Sequence, residues 1–297
     1  MRYRAWYLGL TAILLAAAVV VIVTKGFVLG IDFTGGTLLE RGMPRPVTAA
    51  EVSTVLRGPE LADLRLEGSI VQPLDGGRAV LIRTSELNQA QIRRVDEALR
   101  NAFGSGVTDR RTEVVGPVVG RELVKQALIG LLLASGGILV YVTARYEYRF
   151  GVAAIAALLH DGLVIVGLYS LLGMEVNVST VAVVLTILGY SVNDTIVIFD
   201  RIREKLGKAG RRKDFDRLAD EAITETLPRT LNTAGATLVT VLALLLLGGA
   251  TIHDFALGLF VGIASGTYSS VFVASALWVV WRLADLRRSS RRARAAA

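Results

Sequence analysis

The chain of 297 residues contains no cysteine. A disulfide framework, a cysteine-ligated zinc site and thiol catalysis are therefore excluded. Charged residues are also few, at 20%, beside 53% hydrophobic residues and a mean hydropathy of +0.52. Soluble domains carry about a quarter charged residues and distribute their apolar residues at helix or strand period. Here the apolar residues form long blocks, which predicts an integral membrane protein.

Six apolar runs are long enough to cross a hydrocarbon core of about 30 Å, which takes roughly 20 helical residues. They are residues 6–23, 123–143, 150–172, 176–199, 231–247 and 255–281. The first follows basic residues as a signal peptide does, but it is long and no small-residue cleavage pattern follows, so we expect an uncleaved span. The predicted organisation is a span at 6–24, an extracytoplasmic domain at 25–122, five spans within 123–281 with a cytoplasmic connector at 200–230, and a basic cytoplasmic tail at 282–297.

The Lys and Arg residues between the spans fall on one side. They occupy residues 2–4, 145–149, 201–217 and 287–294. The opposite short loops, 173–175 and 248–254, contain neither residue type. The positive-inside rule therefore predicts that both termini lie in the cytoplasm. We interpret the net charge of +7 as a topology and lipid-contact signal rather than nucleic-acid binding, because no aromatic residues interleave with the basic ones.

The extracytoplasmic segment has the pattern of a folded α/β domain. Thr48 and Glu51 form a capping box at the start of its first helix. The predicted elements, in order, are a strand at 31–41, a helix at 47–56, strands at 64–74 and 78–84 around a turn at 75–77, a helix at 88–103 and a strand at 110–119. The order β-α-β-β-α-β predicts a ferredoxin-like domain.

The cytoplasmic connector has two interpretations. Between residues 201 and 227, Phe215, Leu218, Ala222 and Ile223 share one helical face, and charged residues lie opposite. A solvated connector and a helix lying in the membrane interface both fit this pattern.

Ionisable residues inside the spans are candidates for function, because burying each costs about 2.5–3.5 kcal/mol on insertion scales. Asp194 lies in the fourth span with apolar residues on both sides. Arg229 begins the fifth span, which runs in the opposite direction, so the two are expected at similar depth. A buried carboxyl group that can ionise reversibly can carry protons, and an arginine that stays protonated can tune it. A structural hydrogen bond for Asp194 and snorkelling for Arg229 are the alternatives.

Three further residues are candidates for a proton path. His160 and Asp161 lie near the middle of the third span. A hydrogen bond between helices and a polar relay fit this pair equally well. Asn193, beside Asp194, completes the set.

The sixth span contains a ridge of small residues suited to close helix packing. Its glycines are Gly258, Gly262 and Gly266, and the polar residues that extend it are Ser265, Tyr268, Ser269 and Ser270. The glycine-rich residues 30–36 lack the Gly-Lys-Ser/Thr ending of a phosphate loop, which argues against nucleotide binding. The sequence contains no recognisable catalytic triad or metal-ligand cluster, so we expect neither a cofactor nor enzymatic chemistry.

Five stretches resemble the SecF family, the smaller half of the bacterial SecDF protein-export factor. They are residues 30–36 (Gly-Ile-Asp-Phe-Thr-Gly-Gly), 114–123, 188–204, 226–233 and 268–274. The resemblance covers nearly the whole chain, and the motif through Asp194 is highly specific. Only the basic tail after Leu286 has no counterpart.

This resemblance implies a member of the resistance-nodulation-division superfamily, located in the bacterial cytoplasmic (inner) membrane. It implies SecD as an obligate partner, with which SecF uses the proton-motive force to pull preproteins through the SecYEG channel; YajC is a further candidate partner. The family's proton-path Asp and Arg match Asp194 and Arg229 by motif. The serine that usually follows the arginine motif is Ala234 here, so that hydroxyl group is missing.

Two other functions remain open on the sequence. A six-span unit with one candidate Asp–Arg site favours a half-transporter, whose glycine ridge would bury against the second half. A stand-alone proton-coupled exporter of small molecules would be expected to have a longer external domain and a second six-span half. In a passive scaffold, Asp194 and Arg229 would form only a structural pair.

Overall fold

The computed structural model describes residues 1, 3–208 and 214–295. The chain divides into two compact units, a helical unit of Met1–Val28 with Ile129–Ala297 and an α/β unit of Leu29–Leu128. Arg2 and residues 209–213, which were counted among the basic connections, lie outside the described residues. The same holds for residues 296–297 of the basic tail.

Helices make up most of the described chain. They are α1 (Arg4–Lys25), α2 (Ile31–Thr34), α3 (Ala49–Leu56), α4 (Gln89–Phe103), α5 (Pro117–Arg145), α6 (Tyr148–Leu172), α7 (Val178–Lys208), α8 (Phe215–Leu247), α9 (Ala250–Tyr268) and α10 (Ser275–Ala295). A π-helical turn, Ser269–Ala274, joins α9 to α10. The strands are β1 (Val28–Leu29), β2 (Gly36–Gly42), β3 (Ile70–Leu74), β4 (Ala79–Thr84), β5 (Thr108–Val115) and β6 (Glu175–Val176).

Six helices within the described residues are long and apolar enough to cross a membrane, which confirms the predicted bundle. They are α1, α5, α6, α7, α8 and the continuous helix Ile252–Arg288, which contains most of α9, the π-turn and the first part of α10. The spans differ in how much of their most apolar part is buried inside the structure. About half of the most apolar part of α6 and of Ile252–Arg288 is buried, compared with 6% for α1 and α5. The third and sixth spans therefore form the centre of the helical unit.

Two apolar clusters hold this centre together. In the first, the rings of Phe150 and Trp278 stack with centroids 5.1 Å apart, and Phe199 lies 4.7 Å from Phe150. The second contains Ile165 and Ile187 among its buried residues. Between helices in a membrane, such van der Waals packing is a main source of association, because lipid tails are as apolar as the side chains.

The predicted connector at 200–230 forms parts of two long helices. Its first part continues α7 to Lys208, and its last part is the start of α8. Ion pairs join these two arms: Lys205 Nζ lies 2.8 Å from Glu225 Oε1 and 3.4 Å from Glu221 Oε2. We call the end of the helical unit that carries these arms the basic end. Neither a separate interfacial helix nor an irregular connector occurs within its described residues.

The α/β unit is built on a four-stranded antiparallel sheet with the order β3-β4-β2-β5. With α3 after β2 and α4 after β4, this order is that of a ferredoxin-like fold. Val52 of α3 and Leu99 of α4 pack with Leu39 of β2 and Ile82 of β4 in one buried core. The predicted capping box is confirmed, since the side chains of Thr48 and Glu51 each accept a bond from the other's backbone N–H. The bond from Thr48 lowers the pKa of Glu51.

Three predicted strand boundaries in this unit are wrong. Residues 31–34 are helical, and β2 begins only at Gly36. The φ angles of Gly35 and Gly36, 72° and 127°, are accessible mainly to glycine. Residues 59–68 form short 3₁₀ helices that bury Leu61, Leu64 and Leu66, so β3 starts at Ile70. The last strand ends at Val115, because Pro117 begins α5.

A buried arginine ties the sheet of the α/β unit to its helices. The side chain of Arg41, on β2, is only 1% exposed. Its Nε donates to Asp96 Oδ1 of α4 at 2.6 Å, and its Nη1 lies 2.8 Å from Asp109 Oδ1 of β5. The same Nη1 lies 3.0 Å from the carbonyl oxygen of Arg111. Removal of one partner from a buried ion pair is strongly destabilising, because the other charge keeps its desolvation cost.

We predict that Arg41→Ala lowers the free energy of unfolding of the isolated α/β unit by about 3 kcal/mol, the lower end of the range for buried pairs because Asp109 is half exposed. Urea denaturation of residues 29–115 expressed without the spans measures this. The control is Arg45→Ala, whose side chain is 54% exposed and pairs with exposed Glu51. Equal effects of the two substitutions, or a disordered wild-type unit, would contradict the assignment of Arg41 as a core residue.

Candidate functional site

A carboxylate at the centre of the helical unit receives hydroxyl groups from two other spans. Asp161, on α6, is fully buried. Its Oδ2 accepts hydrogen bonds of 2.7 Å from Ser191 on α7 and of 2.7 Å from Ser269 in the π-turn. Its Oδ1 accepts one of 3.0 Å from Ser265 on α9, and His160 Nδ1 also lies 3.0 Å from it. We call Asp161 with these three serines the Asp161 hub.

A second layer of hydroxyl groups extends the hub toward Asp194. Ser270 Oγ lies 3.0 Å from the carbonyl oxygen of Ser191, and Thr195 Oγ1 donates to Ser270 Oγ at 3.0 Å. Ser191, Asp194 and Thr195 stand three and four residues apart, so they occupy neighbouring positions on the inner side of α7. The π-turn places two consecutive serines, Ser269 and Ser270, in hydrogen-bond contact with α6 and α7. Single π-turns within α-helices are frequent at functional sites.

The glycine ridge lets the sixth span approach this network closely. A Cβ on Gly266 would lie 3.0 Å from Ser191 Cβ, and one on Gly258 would lie 2.6 Å from the Tyr169 hydroxyl oxygen. At Gly262 it would overlap the side chain of Ile187. The ridge therefore buries itself against α6 and α7 of the same chain. The expectation that it faces a second protein was wrong, because the sequence does not say which neighbour a small-residue ridge meets.

Asp194 differs from Asp161 in having an unpartnered oxygen. It is 3% exposed, and within the described residues its Oδ2 is buried without a hydrogen-bond partner. The hydroxyl oxygen of Thr230, on α8, and His160 Nε2 are also buried without a hydrogen-bond partner among the described residues. Buried polar atoms usually have partners, so an orphaned carboxylate oxygen in a membrane span needs an explanation.

Arg229 lies near Asp194 without pairing with it. Among the described residues no ion pair within 4.0 Å joins the two side chains. Asp194 and Arg229 were predicted to lie at similar depth, but they do not form a salt bridge in this structure. Arg229 is exposed, and it lines an open cleft of about 430 Å³ at the basic end. Ile196 and Val197, in the turn that follows Asp194 on α7, line the same cleft, as do Asp200 and Thr226.

Two further candidates, Asn193 on α7 and His160 on α6, have different surroundings. Asn193 is exposed and is not part of the Asp161 hub, whereas His160 contacts Asp161 through Nδ1. Sequence reasoning did not identify Ser191, Thr195 or Thr230. Ser191 was recognisable in principle, because it lies one turn before Asp194 on the same helical face. Within the described residues, no group of three His, Asp or Glu side chains is arranged to hold a metal ion.

The C-terminal family described as "Protein export membrane protein SecD/SecF" matches residues 94–284, which contain Asp161, Asp194 and Arg229. The SecD/SecF GG motif matches residues 20–40. The chain belongs to the SecD/SecF family of protein-export membrane proteins.

Similar proteins place the chain within the SecF branch of that family. It is 40% identical to the protein translocase subunit SecF of Desulfurispirillum indicum over 95% of this chain and 91% of the relative. It is 40% identical to SecF of Vibrio alginolyticus over 93% and 87% of the two chains. The recognition of a SecF-like sequence is thereby confirmed.

A solved structure has the same fold. The crystal structure of SecDF from Thermus thermophilus, a translocon-associated membrane protein, matches with a TM-score of 0.86 and 37% identity. The match covers 95% of this chain but only 38% of that longer chain. This chain thus corresponds to somewhat more than a third of SecDF, and it is a multi-pass membrane protein.

Proposed function

We propose that this chain is the SecF half of a SecDF complex that uses the proton-motive force to assist protein export, with Asp194 as the proton carrier. The observation that carries the proposal is the orphaned Oδ2 of Asp194, buried in a membrane span while every neighbouring serine of the Asp161 hub is satisfied. Membership of a protein-export family supports the protein substrate. The proton chemistry rests on the site.

The environment of Asp194 suits a group that gains and loses a proton. A neutral carboxyl group is cheaper to bury than a carboxylate, so burial favours the protonated form. The arginine charge nearby favours the ionised form, and because arginine keeps its own proton it acts as a fixed charge. Asp194 and Arg229 are not paired here, so a change of protonation has room to alter their separation. A movement of α7 against α8 is the expected mechanical consequence.

We assign part of the proton route to the cleft at the basic end, whose lining reaches Ile196 and Val197 in the turn after Asp194 but does not include Asp194 itself. It is lined by Arg229 and opens beside Asp200 and Glu204. If the positive-inside rule holds, this face is the cytoplasmic one, and the α/β unit lies outside. Each elementary charge that crosses 100 mV releases about 2.3 kcal/mol, so a few protons can drive a change of domain position.

Asp161 has a different part in this proposal. It already accepts hydrogen bonds from three serines on two other spans, an arrangement that suits a structural role. We therefore assign Asp161 and His160 to holding α6, α7 and the π-turn together. The transported proton is assigned to Asp194 alone.

The outer faces of α7 and α8 indicate where a SecD half would bind. On α7 the exposed residues Ala182, Thr186, Gly189 and Asn193 recur at helical spacing on one face. On α8 a matching exposed series is Arg229, Thr233, Ala236 and Thr240. The threonine hydroxyl groups bond back to their own helices, as Thr233 does to the carbonyl oxygen of Arg229 at 3.1 Å. Small and polar residues mark helix–helix interfaces in membranes, whereas lipid-facing surfaces are apolar. We call these two series the polar stripes.

We predict that a photo-crosslinking amino acid placed at Gly189 or Thr233 forms adducts with a co-expressed SecD-like protein. The control position is Leu133 on α5, which is 71% exposed and apolar, and which we expect to contact lipid. Gel shift and mass spectrometry identify the adducts. Partner adducts from Leu133 with none from Gly189 or Thr233 would mean that the polar stripes are not the interface.

The wider complex follows from the same proposal. SecYEG would pass the preprotein across the membrane, and the α/β unit would meet it outside, with YajC as a further candidate partner. A scaffold without proton transport predicts that the chemistry of Asp194 is irrelevant. The next experiment separates these two functions.

We predict that Asp194→Asn abolishes the proton-gradient-dependent part of preprotein export. Asparagine keeps the size of the side chain but cannot take up and release a proton. The membrane level of the Asp194→Asn protein should stay near normal, because a neutral amide is cheaper to bury than a carboxylate. Export into membrane vesicles, with and without an imposed proton gradient, measures the effect.

The matched control is Asp254→Asn, which removes an exposed carboxylate from α9 that belongs to neither the cleft nor the Asp161 hub. It should leave gradient-stimulated export nearly unchanged. Arg229→Lys keeps the charge but loses the planar fork, so a partial loss is expected. Full gradient-stimulated export by the Asp194→Asn protein would make Asp194 a structural residue and favour the scaffold function.

A further inference from the structure

The cleft at the basic end stops about one helical turn short of Asp194. On α7, Val197 lines the cleft, and Asp194 lies three residues deeper. On α8, Thr226 lines the cleft, and Thr230 lies four residues deeper on the same helical face. Thr230 is 1% exposed. Asp194 and Thr230 thus lie on neighbouring spans, and each is one turn deeper than a residue that lines the cleft.

Side-chain contacts fix how α7 and α8 lie against each other. The hydroxyl oxygen of Tyr190 lies 3.3 Å from Thr237 Oγ1, and Arg201 pairs with Glu225 nearer the basic end. Tyr190 and Arg201 therefore mark the face of α7 that meets α8. Asp194 lies 4 residues after Tyr190 and 7 before Arg201, so it belongs to this face.

The same contacts give the relative depth of Asp194 and Thr230. At about 1.5 Å per residue, Asp194 lies about 6 Å from Tyr190 toward the basic end. Thr230 precedes Thr237 by seven residues, which places it about 10.5 Å from that residue in the same direction. Thr230 is therefore about 4.5 Å nearer the cleft than Asp194. A group that passes protons from the cleft to Asp194 would occupy this position.

The hydroxyl group of Thr230 differs from those of the other threonines on α8. In the usual arrangement, a helical threonine bonds to the carbonyl oxygen four residues earlier. The threonines of α8 that do so are Thr224, Thr226, Thr233, Thr237 and Thr240. Thr230 Oγ1 is buried and has no partner among the described residues. Its hydroxyl group is therefore available to a group outside its own helix.

Asp194 Oδ2 is the matching unsatisfied atom on α7, since it too is buried without a partner in the described part of the chain. The two oxygen atoms are separated by more than a hydrogen-bond length, so one water molecule is needed to join them. Buried waters typically bond to polar groups that would otherwise be unsatisfied. A hydroxyl group can accept a proton on its oxygen while it donates its own hydrogen, which valine or alanine cannot do.

We propose that Thr230 relays protons between the cleft and Asp194. A proton that joins Thr230 Oγ1 from the cleft side is matched by the hydroxyl hydrogen that leaves it for the bridging water. The water in turn gives one of its hydrogens to Asp194 Oδ2. The hydroxyl group and the water are re-formed, and the carboxylate becomes a neutral carboxyl group. This relay rests on the proposed function, because it requires Asp194 to exchange protons.

The test measures gradient-stimulated export into membrane vesicles by the full chain with its partner. Thr230→Val keeps the shape of the side chain and removes the hydroxyl group. Export should fall about tenfold, less than the roughly 100-fold or greater effect of a positioned acid–base group, because other steps also limit the rate. The ratio of rates in H₂O and D₂O should rise, because proton delivery becomes the slow step. Thr230→Ser should restore most of the activity.

The melting temperature separates a relay from a structural role. Removing a buried hydroxyl group that has no partner should leave the melting temperature unchanged or raise it. Thr224→Val is the control, because that hydroxyl group is exposed and bonds to the carbonyl oxygen of Asp220 at 2.8 Å. It should leave export and the isotope ratio nearly unchanged.

The outcomes distinguish the relay from the proposed function on which it rests. Full export by the Thr230→Val protein, with export by the Asp194→Asn protein abolished, would overturn the relay alone. A loss that Thr230→Ser does not restore, a lower melting temperature or an unchanged isotope ratio would assign Thr230 a structural role and overturn the relay as well. Full gradient-stimulated export by the Asp194→Asn protein would overturn both.

Discussion

The structure of the membrane unit depends on one buried carboxylate. Asp161 is fully buried, so its polar oxygens need hydrogen bonds from the neighbouring spans. Ser191, Ser265 and Ser269 supply them from α7, α9 and the π-turn. Each bond fixes the rotation of a helix that lipid alone would leave free. The approach is possible because Gly266 allows the sixth span to come within van der Waals distance of Ser191.

The two buried aspartates differ in their hydrogen bonds, because three serines bond to Asp161 while one oxygen of Asp194 has no partner among the described residues. Thr195 and Ser270 bond to each other and to the backbone of α7, whereas Asp194 Oδ2 has no partner among the described residues. The nearby arginine is exposed in a cleft rather than bonded to it. One site is therefore rigid and the other adjustable, although both are aspartates in adjacent spans. This difference suits a protein whose helices move when the carboxyl group of Asp194 gains or loses a proton.

Much of the fold could be predicted from the sequence because its causes are local. Span length, the Thr48–Glu51 capping box and the β-α-β-β-α-β order depend on residues close in the chain, and the structure confirms them. The partners of Asp161 lie 30 to 108 residues away, so no local pattern indicates them. For the same reason the direction of the glycine ridge was misjudged, and depth alone could not decide whether Asp194 and Arg229 pair. Their roles in proton transport stay a prediction.

The most direct test of this account compares the two aspartates in one experiment. Hydrophobic carbodiimides modify membrane-buried carboxyl groups that become protonated. The purified chain is treated over a range of pH, and the labelled residues are located by mass spectrometry. The account predicts labelling of Asp194 that falls as pH rises, with Asp161 unlabelled because three serine hydroxyl groups already occupy both of its oxygens. Labelling of Asp161, or none at Asp194 at any pH, would contradict the division into a fixed hub and a proton-exchanging site.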